Sequence, residues 1–201
     1  MQTLFLTGVF LLTQFSLSAT EGYAPGTCRI FSDPFVNDFN GRRQTTPNRP
    51  QTLTLSEYTN RWKVEGIVSY SSQHHANILQ DVVITLFDID DNTIISIDSK
   101  KNVKISAKGD AQNVVTVPYV HVSRKGMGFR IFVGDPGVNE DIGIFVLLDN
   151  EVSIVWYNSL SNSDYSAVRI NVSSKYMGRD LKGVCGIYNA ITEGVGVRSE
   201  L

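Results

Sequence analysis

Short runs of Val, Ile, Phe and Tyr recur along the chain, with clusters of turn-forming residues between them. The runs are Leu53 to Tyr58, Trp62 to Tyr70, Val83 to Asp88, Ile94 to Asp98, Val103 to Ala107, Val114 to Val122, Phe129 to Val133, Ile142 to Leu148 and Val152 to Tyr157. Between them lie Asp90-Asp91-Asn92, Lys100-Lys101-Asn102, Lys108-Gly109-Asp110, Lys125-Gly126, Gly134-Asp135-Pro136-Gly137 and Asp149-Asn150. Short β-branched runs with turns every roughly 8–12 residues are the pattern of an all-β fold. Val168, Ile170 and Val172 alternate with Arg169, Asn171 and Ser173, which puts one face of that strand in water. No segment carries a helical stripe of four turns, and no internal repeat is evident. The pattern predicts one antiparallel β-sandwich over residues 26–190, with a polar, proline-bearing surface loop from Gln44 to Thr52 and a polar C-terminal tail at 191–201.

The first twenty residues differ from the rest. Residues 1–20 hold Leu4, Phe5, Leu6, Val9, Phe10, Leu11, Leu12, Phe15 and Leu17 and no charge. The apolar core is too short, and too interrupted by Thr and Gln, to span a bilayer. Ser16-Leu17-Ser18 and Ser18-Ala19-Thr20 supply the small residues of a cleavage site. The segment is expected to be a signal peptide, and the mature chain a secreted, extracellular protein with no transmembrane segment. In that compartment Cys28 and Cys185 can oxidise.

Composition removes several function classes. Eighteen basic residues against twenty acidic ones leave a net charge of −2, with no footprint for nucleic acid or an anionic membrane. Two cysteines are too few for a disulfide-dense scaffold or a four-cysteine zinc site. The chain has no GxSxG elbow, no GxGxxG or phosphate-binding loop and no HExxH, so no catalytic centre is expected. Of its three histidines, His74 and His75 are neighbours in a polar loop, where side chains diverge and chelate poorly, and His121 lies in a strand. Asp88, Asp90 and Asn92 fit the first positions of a helix-flanked calcium loop, but Thr93 and Ser99 stand where Gly and Glu are required, so a hairpin turn is expected instead. Asn171-Val172-Ser173 is an N-glycosylation sequon on the polar side of an alternating strand.

The two ends carry a family resemblance. Cys28-Arg29-Ile30-Phe31, then Ser32-Asp33-Pro34-Phe35 and Phe39-Asn40-Gly41, resemble the opening of the von Willebrand factor type D domain, with its Cys, its GDPH-like turn and its Phe-Asp-Gly. Tyr176-Met177-Gly178, followed by Gly183-Val184-Cys185-Gly186-Ile187-Tyr188-Asn189, resembles the family's ending. Val115-Thr116-Val117-Pro118-Tyr119 and the stretch Gly143 to Trp156 are similar to its middle. The resemblance implies the sandwich fold and a binding or structural module of an extracellular matrix, coat, clot or defence layer, working by contact with proteins or glycans. A secreted enzyme of the luciferase type and an extracellular lipid or small-ligand carrier are the alternatives it brings with it. Phe35 and Ser32 replace the histidine and glycine of the GDPH turn, so self-cleavage beside Pro34 is not expected. The usual partner cysteines of the family are missing, and against that background Cys28 and Cys185 are expected to pair with each other. Two free thiols or a bond between chains remain the rival arrangements, and an oxidising compartment and an even count favour the pair. The resemblance also implies a calcium site at Asn40, Asn189 and Glu193. Two neutral amides and one carboxylate make a poor ligand set, so any binding there is expected to be weak, at about 10⁻⁴–10⁻³ M, or the amides simply hydrogen-bond the turn to the loop. No resident cofactor is expected.

Overall fold

The structure, a computed structural model, describes residues 26–31, 35–72, 74–87, 92–107, 113–115, 119–122, 128–136, 142–159 and 162–189. The expected signal peptide, Ser32-Asp33-Pro34, Asp88 to Asp91, Pro118, Glu193 and the tail at 191–201 lie outside the described residues. Among the described residues fifteen strands follow in chain order. They are β1 (Gly26–Phe31), β2 (Phe35–Asn37), β3 (Arg43–Thr45), β4 (Gln51–Tyr58), β5 (Trp62–Ser71), β6 (Ala76–Leu86), β7 (Thr93–Ile97) and β8 (Val103–Ala107). After these come β9 (Asn113–Val115), β10 (Tyr119–Val122), β11 (Phe129–Gly134), β12 (Gly143–Leu148), β13 (Val152–Ser159), β14 (Asn162–Val172) and β15 (Leu181–Lys182). A single 3₁₀ turn, Ser174–Tyr176, precedes β15.

The strands form two antiparallel sheets. One runs β10-β11-β12-β13-β14-β1-β2-β3, the other β15-β4-β5-β6-β7-β8-β9. Within each, most neighbours in sequence are neighbours in space, which is what short turns between short strands produce. The exceptions are β15, which lies against β4, and β1, which lies against β14 with Cys28 opposite Ile170 and Ile30 opposite Val168. One contiguous apolar core joins the sheets, taking Ile144, Val146, Ile154, Trp156 and Ile170 from the first and Leu55, Trp62, Val64, Ile84 and Ile95 from the second. The alternation expected for β14 holds: Val168, Ile170 and Val172 have no exposure, while Arg169 and Asn171 are half-buried on the other face.

That outer face is not uniformly polar. Val155, Tyr157 and Ala167 are buried there with Phe31 and Phe145 packed beside them. Phe132 stacks on Phe145 with ring centres 5.0 Å apart. The Arg169 guanidinium lies 5.8 Å from the Tyr157 ring centre and donates to the Pro136 carbonyl at 2.8 Å, so a cation and a loop close over this small second core.

Three expectations change. The run Val114 to Val122 is not one strand: Asn113–Val115 joins the second sheet and Tyr119–Val122 the first. The run carries Pro118, which has no N–H for a ladder. The strand beginning at Val83 begins instead at Ala76. Polar Asn77, Gln80 and Asp81 hide its first half, and a register shift opposite Ile67/Val68 breaks its alternation. The polar loop Gln44 to Thr52 is shorter than expected, because β3 and β4 take its ends.

Candidate functional site

The opening and closing segments meet at one end of the sandwich. Cys28 and Cys185 form a disulfide with Cα atoms 5.7 Å apart across 157 positions, and neither residue is exposed. Cys28 faces inward from β1, because its neighbours Thr27 and Arg29 take the outer face. The sequence-derived pair is therefore the pair the fold makes.

The partner half is held by backbone geometry. Leu55 is an extra residue in β4, with Thr54 opposite Glu65 and Ser56 opposite Val64. The bulge turns two carbonyls toward the closing loop. Thr54 accepts from the Val184 N–H at 3.0 Å and Leu55 from the Cys185 N–H at 2.9 Å. Gly183, at φ +103°, sits so close that an added Cβ would lie 2.7 Å from the Leu55 oxygen. Gly186 has φ +66° as the loop turns away. The glycines on either side of Cys185 thus serve backbone approach and reversal.

The turn between β2 and β3 grips this loop. Asp38 is 4% exposed, and its carboxylate is the hub of the turn. Oδ1 accepts from the Asn40 N–H at 2.9 Å and the Arg42 N–H at 2.8 Å, and Oδ2 from the Gln44 amide at 3.2 Å. The Phe39 N–H donates to the Cys185 carbonyl at 3.1 Å. Asn40 then reaches across: its Nδ2 donates to the Ile187 carbonyl at 2.7 Å and its Oδ1 accepts from the Asn189 N–H at 3.1 Å. Tyr188 lies over Gly26, where a Cβ would meet its ring at 2.8 Å, and its carbonyl accepts from the Gly178 N–H at 2.8 Å. Burial pushes the Tyr188 phenol up from its ordinary value.

Asn40 and Asn189 are thus brought together, but through a side chain and a backbone amide rather than as two side-chain ligands. Both polar atoms of the Asn40 amide and both Asp38 oxygens have protein partners. Glu193, the one carboxylate of the expected calcium set, lies outside the described residues. Asp38 is the site residue whose role the ligand pattern missed. Its signal is an Asp two residues before Asn-Gly, which marks a turn closed by its own side chain. Replacing Asp38 with Ala leaves three donors without their acceptor. The expected loss is about 1–3 kcal/mol in chemical denaturation, with Asp38→Asn costing less because it keeps an acceptor for the backbone pair. Equal midpoints for Asp38→Ala and wild type would show that the turn does not depend on this carboxylate.

The sequon residue Asn171 lies mid-sheet. Thr27 Oγ1 donates to its Oδ1 at 3.1 Å, and its Nδ2, the atom that would carry a glycan, donates to Ser153 Oγ at 3.0 Å. His74 and His75 occupy a turn, as their polar surroundings suggested, with His75 at φ 51°. His121 is in β10, where its side chain lies outside the description. Among the described residues no helix is long and apolar enough to cross a membrane, and no cluster of three or more His, Cys, Asp or Glu stands together. No protein-family model matches this chain, and no curated protein does.

Proposed function

We propose that this chain is a secreted binding and structural module of the von Willebrand factor type D kind, acting in an extracellular matrix, coat, clot or defence layer by surface contact with proteins or glycans. The observation that carries the reading is the buried Cys28–Cys185 bond, which joins the two segments that resemble the family's opening and closing motifs. Such a bond persists in oxidising compartments and is rare where thiols are kept reduced. The space between the sheets is filled by Trp62, Trp156, Phe129 and branched aliphatic side chains, which favours contact by the outer surface over carriage inside. The hydrogen-bonding reading of the set Asn40, Asn189 and Glu193, with any calcium binding there weak, belongs to the same proposal. So does a glycan on Asn171: one N–H of its amide can carry the sugar while the Thr27 and Ser153 side chains flank it on the outer face of the first sheet.

Expression in a secreting animal cell tests the reading in one sample. The expected product is found in the medium, begins near residues 19–21, loses mass on glycosidase treatment and carries no free thiol. The same material, immobilised, is expected to bind extracellular matrix proteins or glycans saturably. A product retained in the cell with Met1 intact would sink the export reading. Secreted, folded protein that binds none of these surfaces would sink the binding one.

A further inference from the structure

Asn40-Gly41 is the one Asn-Gly pair in the sequence. An asparagine side chain is most open to attack by its own backbone where the next residue has no side chain to hinder the approach. We infer that Asn40 is a conditional deamidation site, held closed by the clasp between the Asp38 turn and the closing loop and opened when Cys28–Cys185 is reduced.

The reaction balances with water alone. The Gly41 nitrogen gives up its proton and bonds to Asn40 Cγ. The Cγ–Nδ2 bond breaks, and the nitrogen leaves as ammonia. Water then opens the five-membered imide at one carbonyl or the other, leaving aspartate or isoaspartate. One water enters, one ammonia departs, and nothing is oxidised or reduced.

Each atom of this reaction has a restraint in the closed fold. The attacking nitrogen is tied inside the turn, where the Gly41 N–H donates to the Asp38 carbonyl at 2.9 Å. The leaving nitrogen donates to the Ile187 carbonyl at 2.7 Å, and Oδ1 accepts from the Asn189 N–H at 3.1 Å, so Cγ is pinned from both sides. Steric cover is not what protects it, since nothing lies within 4 Å of a Cβ built on Gly41. The restraints on the Asn40 amide hang on the segment that carries Cys185, whose carbonyl also receives the Phe39 N–H. Freeing that segment frees both contacts of the Asn40 amide and the Phe39 tie, and leaves the Gly41 N–H bond inside the turn as the remaining restraint. The change is one-way. A carboxylate at position 40 has no hydrogen to return to the Ile187 carbonyl, and isoaspartate lengthens the backbone that Asp38 Oδ1 bridges from Asn40 to Arg42.

Site-resolved peptide mapping after incubation in heavy-oxygen water measures the rate at Asn40. Oxidised, folded protein is expected to react at least about tenfold more slowly than the reduced chain in denaturant, since protection scales with the cost of local opening. Folded protein whose two thiols are shown free by labelling is expected to react several-fold faster than the oxidised protein, and more slowly than the denatured chain because the Gly41 N–H bond inside the turn persists. To separate clasp opening from unfolding, Asn189→Pro removes the N–H that Asn40 Oδ1 accepts while leaving the disulfide in place. That variant, oxidised and folded, is expected to react several-fold faster than wild type. The inference is overturned if the oxidised, folded protein reacts at the denatured rate. It is equally overturned if reduction, or Asn189→Pro, leaves the rate at Asn40 where the closed protein has it.

Discussion

Replacing both Cys28 and Cys185 with Ala is expected to lower stability by about 3–5 kcal/mol. The bond closes a loop of 157 positions, and restricting a loop of that length in the unfolded chain is worth about 5 kcal/mol in the chain-entropy model. Both sulfurs are buried, so Ala fits without leaving a polar atom in the core, as Ser would. At this chain length each kcal/mol moves the melting midpoint by roughly 2–4 °C, so the double variant should melt about 6–20 °C lower. Wild type with reductant should approach the same midpoint. Coincident melts for the variant and the oxidised wild type would mean that the ends are held by the sheets and the loop contacts alone.

Trp62→Ala is expected to cost as much, about 3–5 kcal/mol, for a different reason. Trp62 has no exposure and stands at the start of β5, opposite Tyr58 on one side and Leu86 on the other. Tyr176 meets it edge-on, with ring centres 6.0 Å apart, and lies in turn 5.4 Å from Tyr58. The indole N–H donates to the Tyr176 hydroxyl at 3.4 Å. Burial pushes the Tyr176 phenol up, so it stays protonated and neutral in the core. Tyr176 opens the segment that leads into β15 and Cys185, so the three rings anchor the closing loop to the second sheet. Removing the indole leaves a large cavity and a hydroxyl without its donor. Trp156 supplies the contrast, for its indole N–H is buried with no hydrogen-bond partner among the described residues. Trp156→Phe should therefore cost less than Trp62→Phe in the same urea titration. The reverse order would show that shape, not the donor, decides both sites.

How much of this is legible in the sequence differs by region. β8 falls where the Val103 to Ala107 run places it, because period-two alternation and turn-forming residue types in the flanking sequence act together there. β2 and β3 do not announce themselves: each has three residues, β2 buries Val36 alone, and Arg43, Gln44 and Thr45 of β3 are all exposed, so neither is long enough to imprint an alternation. β4 is legible as a strand, but its bulge at Leu55 is not, although that bulge aims the carbonyls that hold Cys185. At the clasp, Gly183, Cys185, Gly186 and Asn40 stand out as a motif, and the disulfide follows from the resemblance. The use of Asn40 as a strap across backbone groups is a matter of which atoms face one another, and that is fixed only when segments 147 positions apart are docked. A ligand pattern and a strap pattern need the same residue types, so composition does not separate them.

The pairing of β1 with β14 also sets an order of events during synthesis. Strands β4 to β9 each meet a neighbour as soon as it is made, so the second sheet can grow hairpin by hairpin. The residues of β1 wait for partners such as Asn171, which lies 144 positions after Thr27. At about 5–20 residues per second, that wait lasts roughly 7–30 s. Meanwhile β1 has one open edge, and Cys28 has no thiol to pair with until Cys185 is made. Arg29, exposed at the middle of the strand, is a charge of the kind that keeps such an edge from joining the wrong neighbour. Closure of the first sheet waits for β14, and correct oxidation for Cys185 beyond it.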